Sequence, residues 1–474
     1  MNRTITIDPV TRIEGHARVF LNLAEDGSLA SAGLVVNELR GFERILVGME
    51  ADRMPLITAR ICGVCPAAHH LAASHALDNA AGVEVPPAGK LLRELLYMGH
   101  IIHSHALSLF VLQGPDLALG LDADPAARNV VGIVKANPEL AKKALRCRTL
   151  GQKINELVGG RGVHPVTSVA GGIAFVLDAE KRRILAEWSA ELAALAPELA
   201  AAAKGLLLKQ LELHPSLMQD WVAPLWNLGT VKDGRVSLLE GQLCAVDETG
   251  ALRAEFPVTE YAERLAESVV DWSYMKEVRI SHEGERYDYR VGPLARVNCA
   301  DGFGTPAADA ELAALRGLGG RPCHVTVFNT YARVIELLYA VERAQEIVAD
   351  QAILGPARVP VRFRGGRGVG HVEAPRGTLI HDYEIDENGI VRSANLIVAT
   401  QQNYVSINRT IAQAAASHVI GKGDDAALLN AVEFGIRCYD PCLSCATHAL
   451  GAMPLEVVVT RGGRPLRTVR RNEQ

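Results

Sequence analysis

Two short motifs near opposite ends of the 474-residue chain each place a pair of cysteines before a histidine. The first is Arg60–His70 (RICGVCPAAHH) and the second is Asp440–His448 (DPCLSCATH). Two residues between the thiols let both sulfurs face one ion, and thiolates are soft ligands that favour nickel, zinc, copper or iron-sulfur centres. The sequence therefore predicts one shared metal site formed by Cys62, Cys65, Cys442 and Cys445.

Two simpler interpretations of these cysteines remain open. Four thiolates at this spacing also form closed structural zinc sites, and a single CxxC can form a redox disulfide. However, the two pairs lie far apart in the chain, and acidic, basic and histidine residues that a closed zinc site does not need flank each pair. This pattern favours an open metal site. The remaining cysteines lack paired spacing and are interpreted as buried small apolar residues: Cys147, Cys244, Cys299, Cys323 and Cys438.

The composition describes a large globular protein. Apolar residues make up 49% of the chain, and 54 acidic against 49 basic residues give a net charge of -5 without a long block of one sign. This balance argues against a nucleic-acid partner. Residues 1–15 lack the pattern of a secretory signal, and charged or histidine residues interrupt the apolar stretches 101–119 and 184–208. No membrane span is predicted.

The elements that must position the cysteines are predicted to form one interdependent α+β body, predominantly helical. Strand-like segments at Thr4–Ile7, Ala17–Leu23 and Leu34–Leu39 predict a small opening sheet, with a turn at 25–27 between the last two. Helical spacing follows over 87–160.

Further elements follow in the second part of the chain. Asp178 predicts the cap of a helix over Ala179–Leu213, which Pro197 and Gly205 are candidates to bend or break. Strand and turn character returns over 234–256, 287–291 and 379–400, and 455–469 predicts a short hairpin.

The two cysteine motifs together resemble the signature motifs of nickel-iron hydrogenase large subunits. The resemblance covers essentially the whole chain, and the motifs DWSYMK, VGPL and DPCLSCATHALGAMPL are similar to the soluble NAD-reducing (bidirectional) branch. Six further motifs contribute to it: Asp8–His16, Arg40–Glu43, Ser104–Leu107, Asp271–Lys276, Glu373–Gly377 and Ser406–Thr410. The resemblance implies a large-subunit fold with a central bundle of long helices and small peripheral β-sheets.

The resemblance also implies the organisation of the chain. Residues 1–448 would form a single catalytic body, with a β-rich part over 1–60, a mainly helical part over 61–230 and a mixed part over 231–448. Relatives are trimmed after the histidine of the second motif, so His448 would end the mature protein. A dedicated protease would then remove residues 449–474 after nickel insertion. The alternative interpretation of 455–469 is an ordinary edge hairpin.

The metal ligands follow from the same resemblance. All four cysteines would bind nickel, with Cys65 and Cys445 also bridging to iron and with Cys62 and Cys442 as terminal ligands. Carbon monoxide and cyanide would complete the iron coordination. The implied activity is reversible heterolytic cleavage of dihydrogen, in which a nearby base takes the proton.

Glu14 resembles the glutamate through which this family moves protons. The hypothesis is that Cys442 receives the proton and that Glu14 carries it away. The alternative is that Glu14 pairs with Arg12 or caps local structure, as a lone glutamate usually does.

Several other residues resemble the surroundings of the family's metal centre. Arg376 resembles the arginine above the open metal position, with Pro375, Asp116 and Asp440 around it, and the alternative is a buried ion pair between Arg376 and one aspartate. His69 is expected to hydrogen-bond a bridging sulfur, although a core histidine with satisfied hydrogen bonds is the competing interpretation.

Two further groups of ligand contacts are implied. Ala399 and Thr400 align with the segment that contacts the cyanide ligands, but this segment departs from the commoner proline-serine wording. Glu43, the Leu396 carbonyl and His448 resemble the ligands of a magnesium ion near the centre, since magnesium prefers hard oxygen ligands and water. Glu43 alone would otherwise be interpreted as surface charge.

The implied partners carry the remaining cofactors. Iron-sulfur clusters are expected on a hydrogenase small subunit, and flavin and NAD on diaphorase subunits, because the glycine run 365–370 lacks the spacing of a dinucleotide-binding loop. A maturation protease, nickel-insertion factors and a cytoplasmic location complete the prediction. The alternatives are a deazaflavin- or disulfide-linked hydrogenase, a subunit like the quinone-site subunit of complex I, and a zinc-stapled scaffold.

Overall fold

The computed structural model describes residues 3–419, 425–448, 456–461 and 464–470. Within these residues, helices predominate and the strands form small separate sheets. The α-helices are Phe42–Leu46 (α1), Met54–Thr58 (α2), Pro66–Ala81 (α3), Pro87–Leu107 (α4), Gly114–Leu119 (α5), Val130–Ala136 (α6), Pro138–Gly159 (α7), Ala179–Leu213 (α8), Ser216–Gln219 (α9), Tyr261–Arg264 (α10), Pro293–Cys299 (α11), Pro306–Gly319 (α12), Phe328–Ala349 (α13), Ala399–Gln402 (α14), Tyr404–Val419 (α15), Asp425–Tyr439 (α16) and Leu443–Ala446 (α17).

Six small sheets surround these helices, in the orders β1-β2-β3, β4-β5, β13-β6-β8-β9 with β7 on β6, β10-β11-β12, β14-β15-β16 and β17-β18. The strands are Arg3–Ile7 (β1), Arg18–Leu23 (β2), Leu29–Val35 (β3), Ser168–Val169 (β4), Gly172–Ile173 (β5), Trp226–Lys232 (β6), Arg235–Val236 (β7), Gln242–Val246 (β8), Leu252–Phe256 (β9), Leu265–Ser268 (β10), Glu277–His282 (β11), Glu285–Tyr287 (β12), Tyr289–Arg290 (β13), Gly366–Ala374 (β14), Gly377–Ile385 (β15), Val391–Ile397 (β16), Glu456–Arg461 (β17) and Arg464–Arg470 (β18).

The centre of the molecule is a bundle of four long helices, in which α4 packs on α7 and α13, and α13 packs on α8. Gly99 of α4 and Gly151 of α7 face each other at the first of these contacts. A Cβ atom on Gly151 would lie 2.7 Å from the Gly99 carbonyl oxygen, so only glycine lets the two backbones approach this closely. The predicted bundle of long helices is therefore confirmed.

Helix α8 begins and ends at the predicted residues. Oδ1 of Asp178 accepts a hydrogen bond from the Lys181 amide at 2.8 Å, which satisfies one of the free amides of the first turn. The helix runs unbroken for 35 residues through Pro197 and Gly205. The interruption considered from the sequence does not occur.

The third predicted strand is misplaced. Strand β3 covers Leu29–Val35 and pairs antiparallel with β2, so it begins directly after the turn at 25–27. Residues beyond Val35 leave the sheet, because Val36 forms its hydrogen bonds with the segment at 273–274. The apolar run 34–39 thus reflects burial against another segment and not strand pairing.

Helix α3 lies directly on β14 and β15, and this contact positions the first cysteine motif. A Cβ atom on Gly368 would lie 2.0 Å from the carbonyl oxygen of Ala76, and one on Gly370 would lie 2.2 Å from the Ala76 amide nitrogen. The glycine run 365–370 therefore includes positions that let a helix approach the sheet backbone closely.

One helical stretch, Pro87–Leu112, is long and apolar enough to cross a membrane. However, 72% of its most apolar window is buried inside the protein. This stretch is a core element of the bundle. Strands β17 and β18 pair antiparallel, which confirms the hairpin predicted over 455–469, although Leu455 and residues 462–463 lie outside the described residues.

Candidate metal centre

The first cysteine motif turns from a 3-10 helix at 59–61 into helix α3. Cys62 is extended, and Cys65 is the cap residue before Pro66, which occupies the first helical position. Sγ of Cys62 accepts hydrogen bonds from the backbone amides of Val64 at 3.2 Å and Cys65 at 3.3 Å. These amides stabilise negative charge on the Cys62 sulfur.

The second motif leaves helix α16 through a constrained turn. Asp440 has a φ of 51°, in the left-handed region that non-glycine residues rarely adopt. Cys442 is the cap residue of α17, and its amide donates a hydrogen bond to Oγ1 of Thr400 at 2.9 Å. Thr400 therefore fixes the backbone of the second motif.

The four sulfurs of the two motifs meet at one point. All lie within 4.8 Å of one another, and each cysteine is free and buried. The Sγ–Sγ distances are 3.2 Å for Cys62–Cys442, 3.9 Å for Cys65–Cys442, 3.3 Å for Cys65–Cys445 and 2.9 Å for Cys442–Cys445. Among the described residues, this is the one cluster of three or more potential metal ligands of these types. The structure thus brings together the cysteines that the sequence grouped.

The environment separates the acidities of these thiols. Hydrogen bonding to Cys442, helped by the other two thiols and by the charge of Arg376, holds the pKa of Cys62 well below its usual value. Burial raises the pKa of Cys442 well above its usual value. Of these two sulfurs, Cys442 is the one that retains a proton more readily.

Glu14 lies directly beside Cys442. Its Oε2 accepts hydrogen bonds from Sγ of Cys442 and from the backbone amide of Ser444, both at 3.1 Å. The carboxylate therefore also caps the start of α17, as one alternative interpretation proposed. The other alternative, a pair with Arg12, is not seen, because Arg12 binds Asp116 at 2.6 Å.

Arg376 holds the second motif and faces the sulfurs. Its Nε donates to the carbonyl oxygen of Asp440, and its Nη2 donates to Oδ1 of Asp440 at 3.1 Å. Burial opposes its charge, but the Asp440 carboxylate and the cysteine thiols raise the pKa of Arg376 well above its usual value. The alternative of a buried ion pair with one aspartate is therefore seen.

Two buried polar atoms beside the sulfurs have no hydrogen-bond partner: Nη1 of Arg376 and Oδ2 of Asp440. Unpaired buried polar atoms are costly and indicate a place for another group. Four soft sulfur donors together with these two atoms fit a metal centre that keeps one face for a small molecule.

Asp116 lies in a different cluster from the one predicted. Its carboxylate is fully buried and pairs with Arg12, with Arg437 at 3.1 Å and with Arg128 at 3.4 Å. These contacts satisfy Asp116 without Arg376. Pro375 precedes Arg376 at the turn from β14 to β15 and is buried, as predicted for a residue near the centre.

His69 contacts a sulfur of the cluster. Its Nε2 lies 3.3 Å from Sγ of Cys445, and its Nδ1 lies 3.0 Å from Nε2 of His381. Burial lowers the pKa of His69 to about 4. The ring is thus a buried histidine with both nitrogens engaged, so the two interpretations made from the sequence describe the same contact.

The predicted magnesium ligands also lie together. Oε1 of Glu43 is 2.9 Å from Nδ1 of His448 and accepts the amide of Leu396 at 2.8 Å. Burial raises the pKa of Glu43, but the hydrogen bond with His448 and the Leu396 amide outweigh burial and leave that pKa below its usual value. The Leu396 group that contacts Glu43 is therefore its amide, whereas the sequence singled out its carbonyl.

Sequence reasoning missed three residues of this region: His381, Tyr383 and Gln401. Oε1 of Gln401 lies 2.9 Å from Nε2 of His448. Gln401 is buried directly after Ala399 and Thr400, which are also buried. A buried glutamine beside a predicted ligand segment was a signal in the sequence, but its partner depended on the fold.

The isolated cysteines are chiefly core residues. Cys147, Cys323 and Cys438 are fully buried and Cys244 is buried, whereas Cys299 is partly exposed. Burial raises the pKa of each of these five thiols. The prediction of small buried apolar residues holds most clearly for the first three.

A helix-rich body that joins two distant CxxC motifs into a buried four-thiol centre, with a carboxylate and an arginine beside it, defines the class of thiolate-bound redox metalloenzymes. Residues 40–138 and 255–448 match the family model of nickel-dependent hydrogenases, and residues 4–39 match a model described as HoxL-like. The chain therefore belongs to the nickel-dependent hydrogenase family as a large, catalytic subunit. The predicted family and enzyme class are confirmed.

The curated relatives span most of this chain. It is 42% identical over 413 residues to the vhu F420-non-reducing hydrogenase of Methanococcus voltae, in the A subunit of that enzyme, and the match covers 87% of this chain and 98% of the relative. It is 38% identical over 478 residues to the NAD-reducing hydrogenase HoxS subunit beta of Cupriavidus necator, with 97% of each covered.

The fold is also that of a solved hydrogenase. A crystal structure of an NAD+-reducing [NiFe]-hydrogenase in the H2-reduced state matches with a TM-score of 0.90 and 36% identity, over 94% of this chain and 99% of that chain. The predicted fold class is confirmed by this match.

Proposed function

We propose that this subunit cleaves dihydrogen reversibly and heterolytically at a nickel-iron centre and passes the electrons through partner subunits to NAD(P). The observation that carries the proposal is the convergence of four buried sulfurs within 4.8 Å from motifs at opposite ends of the chain. When bound, the two metals supply the Lewis acidity that makes dihydrogen acidic and the redox capacity that takes up its electrons.

Each thiolate has its own role in this proposal. Cys62, Cys65, Cys442 and Cys445 bind nickel, and Cys65 and Cys445 also bind iron. Carbon monoxide and cyanide complete the iron coordination, with Pro375, Ala399 and Thr400 in the surrounding wall. The short contacts among all four sulfurs support a single centre.

The chain itself supplies the first part of a proton path. The Cys442 thiol already donates a hydrogen bond to Oε2 of Glu14 at 3.1 Å, so a proton on this sulfur has an acceptor within reach. The burial that raises the pKa of Cys442 favours the protonated sulfur. Cys442 is the proton-accepting base, and Glu14 carries the proton away.

Arg376 orients the open face of the centre. Two of its nitrogens are held by Asp440, and the third, Nη1, is left without a protein partner beside the sulfurs. A fixed guanidinium at this place polarises a small molecule and stabilises negative charge. Asp116 acts at a distance, because it holds Arg12 two residues before Glu14.

A magnesium ion is proposed at the contact between Glu43 and His448. Glu43 supplies a hard carboxylate oxygen, and Leu396 and His448 complete the protein side of the site. The lowered pKa of Glu43 keeps this carboxylate charged. The ion would tie the second motif to helix α1.

Partner subunits complete the electron path. The curated relatives are named as subunits, including the beta subunit of an NAD-reducing hydrogenase and the iron-sulfur subunit of an F420-non-reducing hydrogenase. We place the iron-sulfur clusters on a small subunit, and flavin and NAD on diaphorase subunits. The 42% identity to an F420-non-reducing relative makes a disulfide-linked complex the second candidate.

Maturation is part of the proposal. Nickel-insertion factors load the precursor, and a dedicated protease then removes residues 449–474 after His448. The contacts of His448 with Glu43 and Gln401 would anchor the new carboxyl terminus. We propose that the complex is cytoplasmic, as the similarity to the soluble NAD-linked branch implies.

Anaerobic purification of the native complex tests this function. The expected result is nickel, iron and flavin in the complex, together with H2-dependent reduction of NAD+. Reduction of a disulfide acceptor without NAD+ reduction would assign the chain to the second candidate. Zinc with no H2 uptake would support the zinc-stapled scaffold, and electron transfer to quinone without H2 uptake would support a complex I-like subunit.

A further inference from the structure

A line of three buried side chains leads away from the sulfur of Cys445. Nε2 of His69 lies 3.3 Å from this sulfur, and Nδ1 of His69 lies 3.0 Å from Nε2 of His381. Nδ1 of His381 lies 2.6 Å from the hydroxyl of Tyr383. His69 is 1% exposed, and His381 and Tyr383 are 0% exposed. All four ring nitrogens therefore belong to one continuous line of hydrogen bonds.

Two elements hold this line in place. His69 lies in the first turns of α3, directly after the first cysteine motif. His381 and Tyr383 are two residues apart on β15, so their side chains point to the same face of the strand. Helix α3 packs on this strand, which fixes the distance between His69 and its partners.

The metal centre determines the direction of the hydrogen bonds. A metal-bound thiolate has no hydrogen, so Cys445 can only accept, and His69 must carry its hydrogen on Nε2. Burial keeps the ring neutral, which leaves Nδ1 of His69 to accept from Nε2 of His381. Nδ1 of His381 then accepts from the Tyr383 hydroxyl.

We propose that His381 and Tyr383 are positioning residues that hold the His69 ring in the form that donates a hydrogen bond to Cys445. The inference rests on the proposed metal centre. This bond withdraws electron density from the sulfur and stabilises the reduced centre. Without the Tyr383 hydroxyl, His381 can carry its hydrogen on Nδ1, and His69 then turns an acceptor nitrogen towards the sulfur.

The Tyr383→Phe variant of the holoenzyme tests this role, because it removes one hydroxyl and keeps the ring. Tyr289→Phe is the matched control, since its buried hydroxyl bonds Oε1 of Gln402 at 3.0 Å and has no described contact with the line. The measurements are nickel content and the midpoint potential of the centre from an EPR-monitored redox titration. A purely structural role for Tyr383 would leave that potential unmoved.

The expected result is unchanged nickel content and a lower midpoint potential in Tyr383→Phe than in the wild type and the control. A potential equal to that of the wild type would overturn the positioning role. If Tyr383→Phe loses nickel, the comparison passes to His381→Gln, whose amide can still donate to His69, and His381→Leu, which cannot. A potential closer to wild type in His381→Gln supports the role, and equal potentials in the two variants overturn it.

The outcomes separate this inference from the proposed function. Wild-type protein without nickel or H2 uptake contradicts the proposed function itself. Nickel-loaded, H2-cleaving wild type with an unshifted potential in Tyr383→Phe contradicts only the role of His381 and Tyr383.

Discussion

Oε2 of Glu14 lies 3.1 Å from Sγ of Cys442, although 428 residues separate the two in the sequence. The contact is fixed by the backbone as well as by the side chains, because the Leu443 amide donates to the Glu14 carbonyl oxygen at 3.2 Å. The Ser444 amide holds the same carboxylate oxygen. The amino-terminal and carboxy-terminal motifs thus form one unit at the centre.

Replacement of Glu14 tests the proton path. Glu14→Gln keeps an oxygen that can accept from the Ser444 amide, but it removes the group that takes a proton from Cys442. We expect H2 turnover and D2/H+ exchange to fall by roughly 10²- to 10⁴-fold, the range for a lost general base, with nickel and iron contents unchanged.

The control for this variant is Glu38→Gln, because Glu38 is half-exposed and pairs with the exposed His16. It should exchange protons at the wild-type rate. Full exchange in Glu14→Gln would show that another group carries the proton from Cys442.

Arg376→Lys tests the role of the guanidinium. Lysine lacks the planar fork that binds Asp440 through two nitrogens and presents a third to the centre. We expect kcat for H2 oxidation to fall by about 10²-fold, as for other lost electrostatic donors, while nickel content is retained. Arg392→Lys, which alters an exposed pair with Asp386, is the control, and equal kcat values in the two variants would contradict the assigned role.

A buried ion network below the centre stabilises the fold. Glu336 accepts two hydrogen bonds from Arg296, at 2.6 and 2.7 Å, and one contact from His105 at 2.7 Å, with all three side chains fully buried. Glu336→Gln leaves Arg296 without one of its two carboxylate partners. We expect the free energy of unfolding in denaturant at pH 7 to fall by about 3–5 kcal/mol.

The pH dependence of this network follows from its pKa. Burial raises the pKa of Glu336, but the charge of Arg296 and the hydrogen bond with His105 outweigh it and lower that pKa from 4.5 to about 2. The stabilisation is therefore fully present above about pH 4.5 and is lost as the pH falls towards 2. The difference in unfolding free energy between wild type and Glu336→Gln should narrow over this window, and a constant difference would exclude the linkage.

The mass of the native protein tests the maturation proposal. We expect a carboxyl terminus at His448 in nickel-loaded protein and an intact chain to Gln474 in cells deprived of nickel. Intact-protein mass spectrometry measures both forms. Nickel-loaded, active protein that still ends at Gln474 would show that the hairpin β17–β18 is a permanent part of the enzyme.

The cysteine centre and helix α8 were predictable because each depends on a local signal. Paired thiol spacing marks Cys62 and Cys442 whatever the rest of the fold, and the Asp178 cap marks the start of α8. The third strand was misplaced because apolar residues after Val35 are buried against another segment, and burial alone does not distinguish pairing from packing.

The partners of charged residues were less predictable than their presence near the centre. Asp116 was grouped with Arg376, but it pairs with Arg12, Arg128 and Arg437, because the choice among arginines depends on how α5 and α16 pack. His381 escaped notice for the same reason. Its contact with His69 spans 312 residues and exists only because α3 lies on β15.

The central claim is that thiolates from both ends of the chain hold one nickel-iron centre. Metal analysis combined with nickel K-edge X-ray absorption on anaerobically purified wild type and Cys445→Ser tests it most directly. We predict nickel and iron in equal amounts with a sulfur-rich nickel shell in the wild type, and loss of sulfur coordination or of nickel in Cys445→Ser. Zinc in a closed four-sulfur site, with nickel absent from active preparations, would contradict the account.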